Sequence, residues 1–190
     1  MYGRQSLVDR PLVKAKAEVS LSAFAFFFSE LVQYCQTKVS NVGELERRLE
    51  DVGYGVGIRL LELLCLRERN SKRDTRLLDT LKFVHSTLWK YLFGRQAKDL
   101  EQSNTADDEY MISDYDLFVN KYISVPKDLG QLNCAAFVAG IVKGVMDSAG
   151  FPARVTAHFI QIKGDTRKKT TILIKLDSSV LAREAGLPAV

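Results

Sequence analysis

Apolar residues at three- and four-residue spacing mark the first element. Leu21, Phe24, Phe28, Leu31, Val32 and Cys35 fall on one face of a helix spanning residues 18–39, and that face must be buried. Ser20 offers a capping oxygen at its start. The opposite face is polar through Ser22, Ser29, Glu30 and Gln33, except that Phe26 stands among them and Phe27 sits on the flank. A bulky aromatic there lies in water unless something covers it. Single exposed aromatics are common on ordinary surfaces, so the pattern leaves both a partner-facing role and plain exposure open.

The next run, ELERRLEDV at 44–52, predicts a second helix that stops at Gly53. The GYGVG that follows has the glycine density of a phosphate-cradling loop, but no strand precedes it as a dinucleotide fingerprint requires, so the glycines read as a break between helices. Ile58 to Arg69 predicts a further helix with Leu60, Leu61, Leu64 and Cys65 inward. After a polar turn at 70–73, Leu77, Leu81, Val84, Leu88 and Leu92 mark the buried stripe of a long helix from about Asp74 to Gly94. His85 lies on its flank without a carboxylate, cysteine or second histidine at ligand spacing, and reads as structural.

Residues 97–108 are polar and turn-like. EYMISDYD (109–116) and YISVP (122–126) read as strands, and VTAHFIQI (155–162) and TILIKL (171–176) flank KGDTRKK as a hairpin. Between them a helix from Asn133 is apolar on nearly every side, through Phe137, Val138, Ile141, Val142, Val145 and Met146, and stops at Gly150 with Pro152 beyond. A helix apolar all round belongs in the middle of a domain. Strands bracketing a helix in an otherwise helical chain predict an α+β domain with an antiparallel sheet.

Composition narrows the function. With 190 residues the chain is long enough for one domain with a sizeable core. Its net charge of +4 falls short of a dedicated nucleic-acid binder, and aromatics do not interleave with basic residues as a nucleic-acid sheet needs. Charge is nevertheless segregated. Residues 99–116 carry seven acidic side chains and no basic one, and residues 154–176 carry six basic and one acidic. Such patches suit either docking of a complementary partner or simple solvation. The apolar runs are far shorter than the roughly 20 residues of a membrane-crossing helix, so membrane association is expected to be peripheral.

Three cysteines without C-x-x-C spacing, and two histidines, argue against zinc and disulfides and for a reducing compartment. Cys134, beside Asn133 at a helix start, is where a thiol's pKa falls. A nucleophile needs a base and an orienting group, and the only base on offer, His158, shows no carboxylate neighbour along its strand. Cys134 therefore reads as a small buried hydrophobe, as do Cys35 and Cys65. No catalytic motif appears elsewhere.

Four stretches carry a resemblance: EVSLSAFAFFFSELVQ (18–33), YISVPK (122–127), LNCAAFVAGIV (132–142) and GFPARVTAH (150–158). In consistent order over about residues 18–176, they resemble the subunit-five family of TRAPP, the transport protein particle. The resemblance implies the Bet-three-like fold, with helices packed on one side of a twisted antiparallel sheet of about four strands. It divides the chain into a flexible arm (1–17), one domain (18–177) and a C-terminal helix or tail (178–190). It implies a non-catalytic core subunit, without cofactor or metal, of a complex that tethers transport vesicles between endoplasmic reticulum and Golgi and acts as a whole as an exchange factor for a Rab GTPase. The implied location is cytoplasmic, peripheral on endoplasmic reticulum and cis-Golgi membranes.

Subunits of this group pair through their first helices, which implies a Bet-three-type partner on Ser22, Phe26, Phe27, Ser29, Glu30 and Gln33. A contact of Arg167, Lys168 and Lys169 with anionic lipid or an acidic partner is a second expectation. The Bet-three-type paralogue is acylated on a cysteine before its long helix. The matching turn here, SKRDTR at 71–76, has no cysteine, so a tethered acyl chain is not carried over. A lipid- or heme-binding module of the same fold is the alternative reading.

Overall fold

The structure, a computed structural model, describes residues 19–68, 75–125, 129–130, 132–161 and 168–187. Its centre is the apolar helix foreseen above, α6 (Ala136–Ala149), which begins three residues later than expected because Asn133 to Ala135 form the turn before it. The helix stops as its sequence requires. Gly150 takes a left-handed φ of 84°, and the Phe151 N–H reaches back to the Met146 carbonyl at 2.8 Å.

The largest correction to the sequence reading lies beside α6. Residues 44–69 are not two helices broken by glycine; α2 runs unbroken from Val42 to Glu68. The glycines serve close approach instead. A Cβ at Gly53 would sit 2.0 Å from the Phe137 carbonyl oxygen and one at Gly57 2.2 Å from that of Ile141. Gly140 and Gly144 return the arrangement, meeting the carbonyls of Glu50 at 2.0 Å and Tyr54 at 2.5 Å. Four glycines thus let two backbones touch. At the start of α2 the Asn41 side chain accepts from the Glu44 N–H at 2.9 Å, while the Glu44 carboxylate accepts from the Ser40 N–H at 3.1 Å, a reciprocal cap.

The long helix expected at 74–94 is built of α3 (Leu77–Phe83), a π-helical turn (Val84–Leu88) and α4 (Trp89–Phe93), closed by Gly94 at φ 75°. Its stripe of Leu77, Leu81, Val84 and Leu88 is buried as read, with Trp89. The Trp89 indole donates at 2.7 Å to the fully buried Asp114, whose other oxygen holds Arg95 at 2.6 Å.

The sheet is antiparallel throughout, in the order β1-β2-β4-β3, with β1 Asp99–Gln102, β2 Glu109–Tyr115, β3 Ala153–Gln161 and β4 Lys168–Leu176. β1 was read as a turn: DLEQ has no β-branched residue and is strand only because β2 pairs with it. The strand expected at 122–126 is not formed over its described part, 122–125. The helical turn α5 (Phe118–Lys121) precedes it, and no strand pairs with Tyr122–Val125. Ile112, Ile172, Ile174, Val155 and Ala153 face the helices and close the core with α6.

The two charge runs are neighbours. Lys169 of β4 reaches Asp99 at 2.9 Å, and Lys175 reaches Glu109 at 2.9 Å and Asp108 at 3.5 Å. Much of the acidic run is therefore spent on cations from the basic run rather than offered to a partner. The C-terminal α7 (Ser178–Ala185) docks on the domain. Val180 is buried, Glu184 accepts from the Leu77 N–H at 3.1 Å, and Arg183 donates to the Gly150 carbonyl at 2.8 Å.

Candidate partner interface

α1 (Leu21–Gln36) starts where Ser20 accepts from the Ala23 N–H at 3.1 Å. Its inner face holds the helix down through aromatic rings. Phe24 stacks on Phe28 at 5.7 Å and meets Phe118 edge-on at 5.1 Å; Phe28 meets Phe137 at 5.4 Å. Phe28, Val32 and Cys35 are buried, as the spacing predicts. Leu21, in the first turn, is exposed instead.

The outer face carries the anomaly seen in the sequence, enlarged. Phe26 is 76% exposed and Phe27 70%, with Ser22, Glu30 and Gln33 open beside them and Ser29 half-buried, accepting from the Gln33 amide at 3.4 Å. The structure brings all six residues to one side of one helix. Sequence reasoning missed a seventh. Tyr34, 63% exposed, lies seven residues, two turns, from Phe27 and so extends the same stripe, with the Lys38 ammonium 5.7 Å from its ring. The seven-residue step was visible in the sequence. Three open aromatics on one side of one helix are more than the scattered single residues of an ordinary exterior.

Of the three hairpin cations, Arg167 lies outside the described residues, and Lys168 opens β4. Lys169 is bound to Asp99, which raises its pKa, chiefly through that hydrogen bond.

The thiol chemistry is not assembled. Cys134 is 1% exposed, and burial, with the Glu46 carboxylate near it, pushes its pKa up to about 12. Desolvation outweighs any benefit of the nearby helix start. His158 is exposed on β3 and bonds Thr156 at 2.8 Å, not the thiol. Burial also raises the Cys35 pKa, with Arg48 opposing. Cys65, expected inside, is exposed: it sits on α2 one step beyond the buried Leu64. Among the described residues no cluster of three or more His, Cys, Asp or Glu side chains is placed to hold a metal, and no helix is long and apolar enough to cross a membrane.

Comparison with known proteins agrees with this architecture. A family model described as "Transport protein particle (TRAPP) component" matches residues 24–177. Trafficking protein particle complex subunit 5 of Dictyostelium discoideum is 58% identical over 180 residues, 95% of this chain and 97% of that protein. The human protein of the same name is 46% identical over 185 residues, 97% of this chain and 95% of its own. Among solved structures, trafficking protein particle complex subunit 3 of Naegleria fowleri, covalently bound to palmitic acid, superposes with a TM-score of 0.68 at 20% identity. The match covers 83% of this chain and 95% of that one, and supports the fold. With most of its length matched to these relatives and to the family model, this chain belongs to the TRAPP component family.

Proposed function

We propose that the chain is a non-catalytic building block of a TRAPP-type vesicle-tethering complex, and that it assembles by laying the outer face of α1 against a paralogous, Bet-three-type subunit. The observation that carries the reading is the face itself. Phe26, Phe27 and Tyr34 stand mostly in water on a helix whose other side, through Phe24, Phe28, Val32 and Cys35, packs on the domain, so among the described residues the core makes little use of them. Aromatic anchors ringed by polar groups are the composition of a protein interface, and Ser22, Glu30 and Gln33 supply the rim. Rab exchange then belongs to the assembled complex, with this subunit contributing structure. The complex as a whole works at endoplasmic reticulum and cis-Golgi membranes as a peripheral body.

Light scattering on the chain alone, and mixed with the Bet-three-type paralogue, tests the pairing. A stable one-to-one species supports it; independent elution overturns it. Contact of the hairpin with anionic membrane rests on Arg167 and Lys168 more than on Lys169, whose charge Asp99 already holds. Liposome sedimentation of the assembled complex, with Arg167 and Lys168 replaced by Ala, decides that point: unchanged sedimentation excludes the hairpin.

A further inference from the structure

β3 is nine residues long and forms one edge of the sheet; among the described residues it pairs with β4 alone. Every second residue of such a strand turns its N–H and C=O away from the neighbour. Natural edges are blunted by proline, lysine, a bulge or a cover. β3 has no proline and no lysine, its register with β4 is unbroken from Ala153 to Gln161, and its far end exposes Phe159 and Ile160.

A cleft of about 400 Å³ runs between this edge, α2 and the start of α6. Asn133 lines it and is 4% exposed. Its Oδ1 accepts from the Ala135 N–H at 3.1 Å and from the Asn120 amide at 3.2 Å, which fixes the orientation of the side chain. Nδ2 is buried and has no acceptor among the described residues.

The charges of the cleft point the same way. Glu50 is held by Lys143 at 2.9 Å and Glu46 accepts from the Asn133 N–H at 2.8 Å, so both carboxylates are engaged. Arg47 and Arg154 are exposed and make no ion pair among the described residues. What remains exposed beside the edge is a set of donors: the Arg47 and Arg154 guanidinium groups and the outward N–H groups of β3.

We propose that β3 is a second docking edge, which takes an extended segment of a partner protein as a fifth strand, with acidic side chains against Arg154 and Arg47. Strand addition supplies main-chain hydrogen bonds, while the donor set selects an acceptor-rich, acidic sequence. This edge is separate from α1, so both can be occupied together.

The test uses the full chain, isotope-labelled, and three capped heptapeptides: Glu-Val-Thr-Val-Thr-Val-Glu, the same with Lys for Glu, and the same with Pro at the centre. The acidic peptide should shift the amide resonances of Ala153–Gln161 and slow their exchange. The Lys form should bind at least tenfold more weakly and the Pro form not measurably. Arg154→Glu, at an exposed position, should abolish the preference for the acidic peptide. Phe26→Glu should leave all of this unchanged. Absence of β3 shifts, or equal binding of the acidic and basic forms, overturns the proposal. So does self-association that perturbs the same amides, which would make a second copy the occupant, or their release on removal of residues 1–18, which would make the occupant the chain's own arm.

Discussion

Replacing Phe26 tests the reading of α1 most directly, because the side chain is largely exposed among the described residues. A phenylalanine offers about 200 Å² to bury, and at 76% exposure Phe26 still has about 150 Å² in water. At about 25 cal/mol per Å² that area is worth about 4 kcal/mol as an upper limit. Association consumes part of it, so about 1.5 to 3 kcal/mol is the expected loss for Phe26→Ala, a weakening of about 10- to 150-fold. Phe26→Glu adds the cost of drying a carboxylate without a partner and should weaken pairing further. Isothermal titration against the Bet-three-type subunit gives the numbers. Thermal melting of each variant alone should stay close to the parent, since the ring is mostly in water among the described residues. Affinity within twofold of the parent for both variants, with melting unchanged, would refute the assignment of this face. Phe27→Ala and Tyr34→Ala should behave alike, and because the three are neighbours their losses should not sum.

Gly140→Ala places a methyl against the Glu50 carbonyl at 2.0 Å and should destabilise by about 1 to 3 kcal/mol or more despite alanine's better helix propensity, whereas Gly55→Ala, whose nearest neighbour is the Arg59 side chain at 3.6 Å, should stabilise by up to about 1 kcal/mol; paired thermal melts check both. Asp114→Ala strips the Trp89 indole of its buried acceptor and should cost about 2 to 4 kcal/mol in urea unfolding, with Arg95, half in water, losing less. Iodoacetamide at pH 8 should label Cys65 first and leave Cys134 unmodified in the folded chain, since a pKa of about 12 leaves almost no thiolate; rapid labelling at Cys134 would revive a thiol enzyme. Lys143 and Lys169 have folded pKa values raised above their ordinary range, first through hydrogen bonds to Glu50 and Asp99. Their contribution is full below the unfolded value near 10.5 and lost as the pH climbs through the raised folded values, so alkaline unfolding should begin earlier in Lys169→Met than in the parent.

The buried stripes of α1, α3 and α6 were legible because periodicity reports which side of a helix leaves water, and the hairpin was legible because both of its strands are rich in β-branched residues. β1 was not, since four mostly polar residues become strand only when β2 lies beside them. The reverse error at Tyr122–Val125 has the same origin. Extended propensity without a neighbour makes no ladder. Gly53 and Gly57 show the limit most sharply. In one dimension a glycine inside a helical pattern reads as a stop, because its conformational freedom is all that local reasoning sees. In the fold the same lack of a Cβ is what lets α2 lie directly on α6, and the backbone entropy lost at those glycines is offset by contact between main chains.

The charge runs carry the same lesson toward function. Two opposite-sign segments far apart in sequence suit either docking surfaces or simple solvation, and the antiparallel sheet sets Asp99, Asp108 and Glu109 against Lys169 and Lys175. Charge that satisfies itself within the fold is withdrawn from recognition. The surface left for partners is then the part the fold does not consume: the aromatic stripe of α1, whose inner face has already done the packing, and the donors along β3, which pair with no carboxylate among the described residues. A subunit whose work is assembly is recognised by this remainder, and both remainders lie where a local pattern is broken: a phenylalanine on a polar face, and an edge strand without the proline or lysine that would close it.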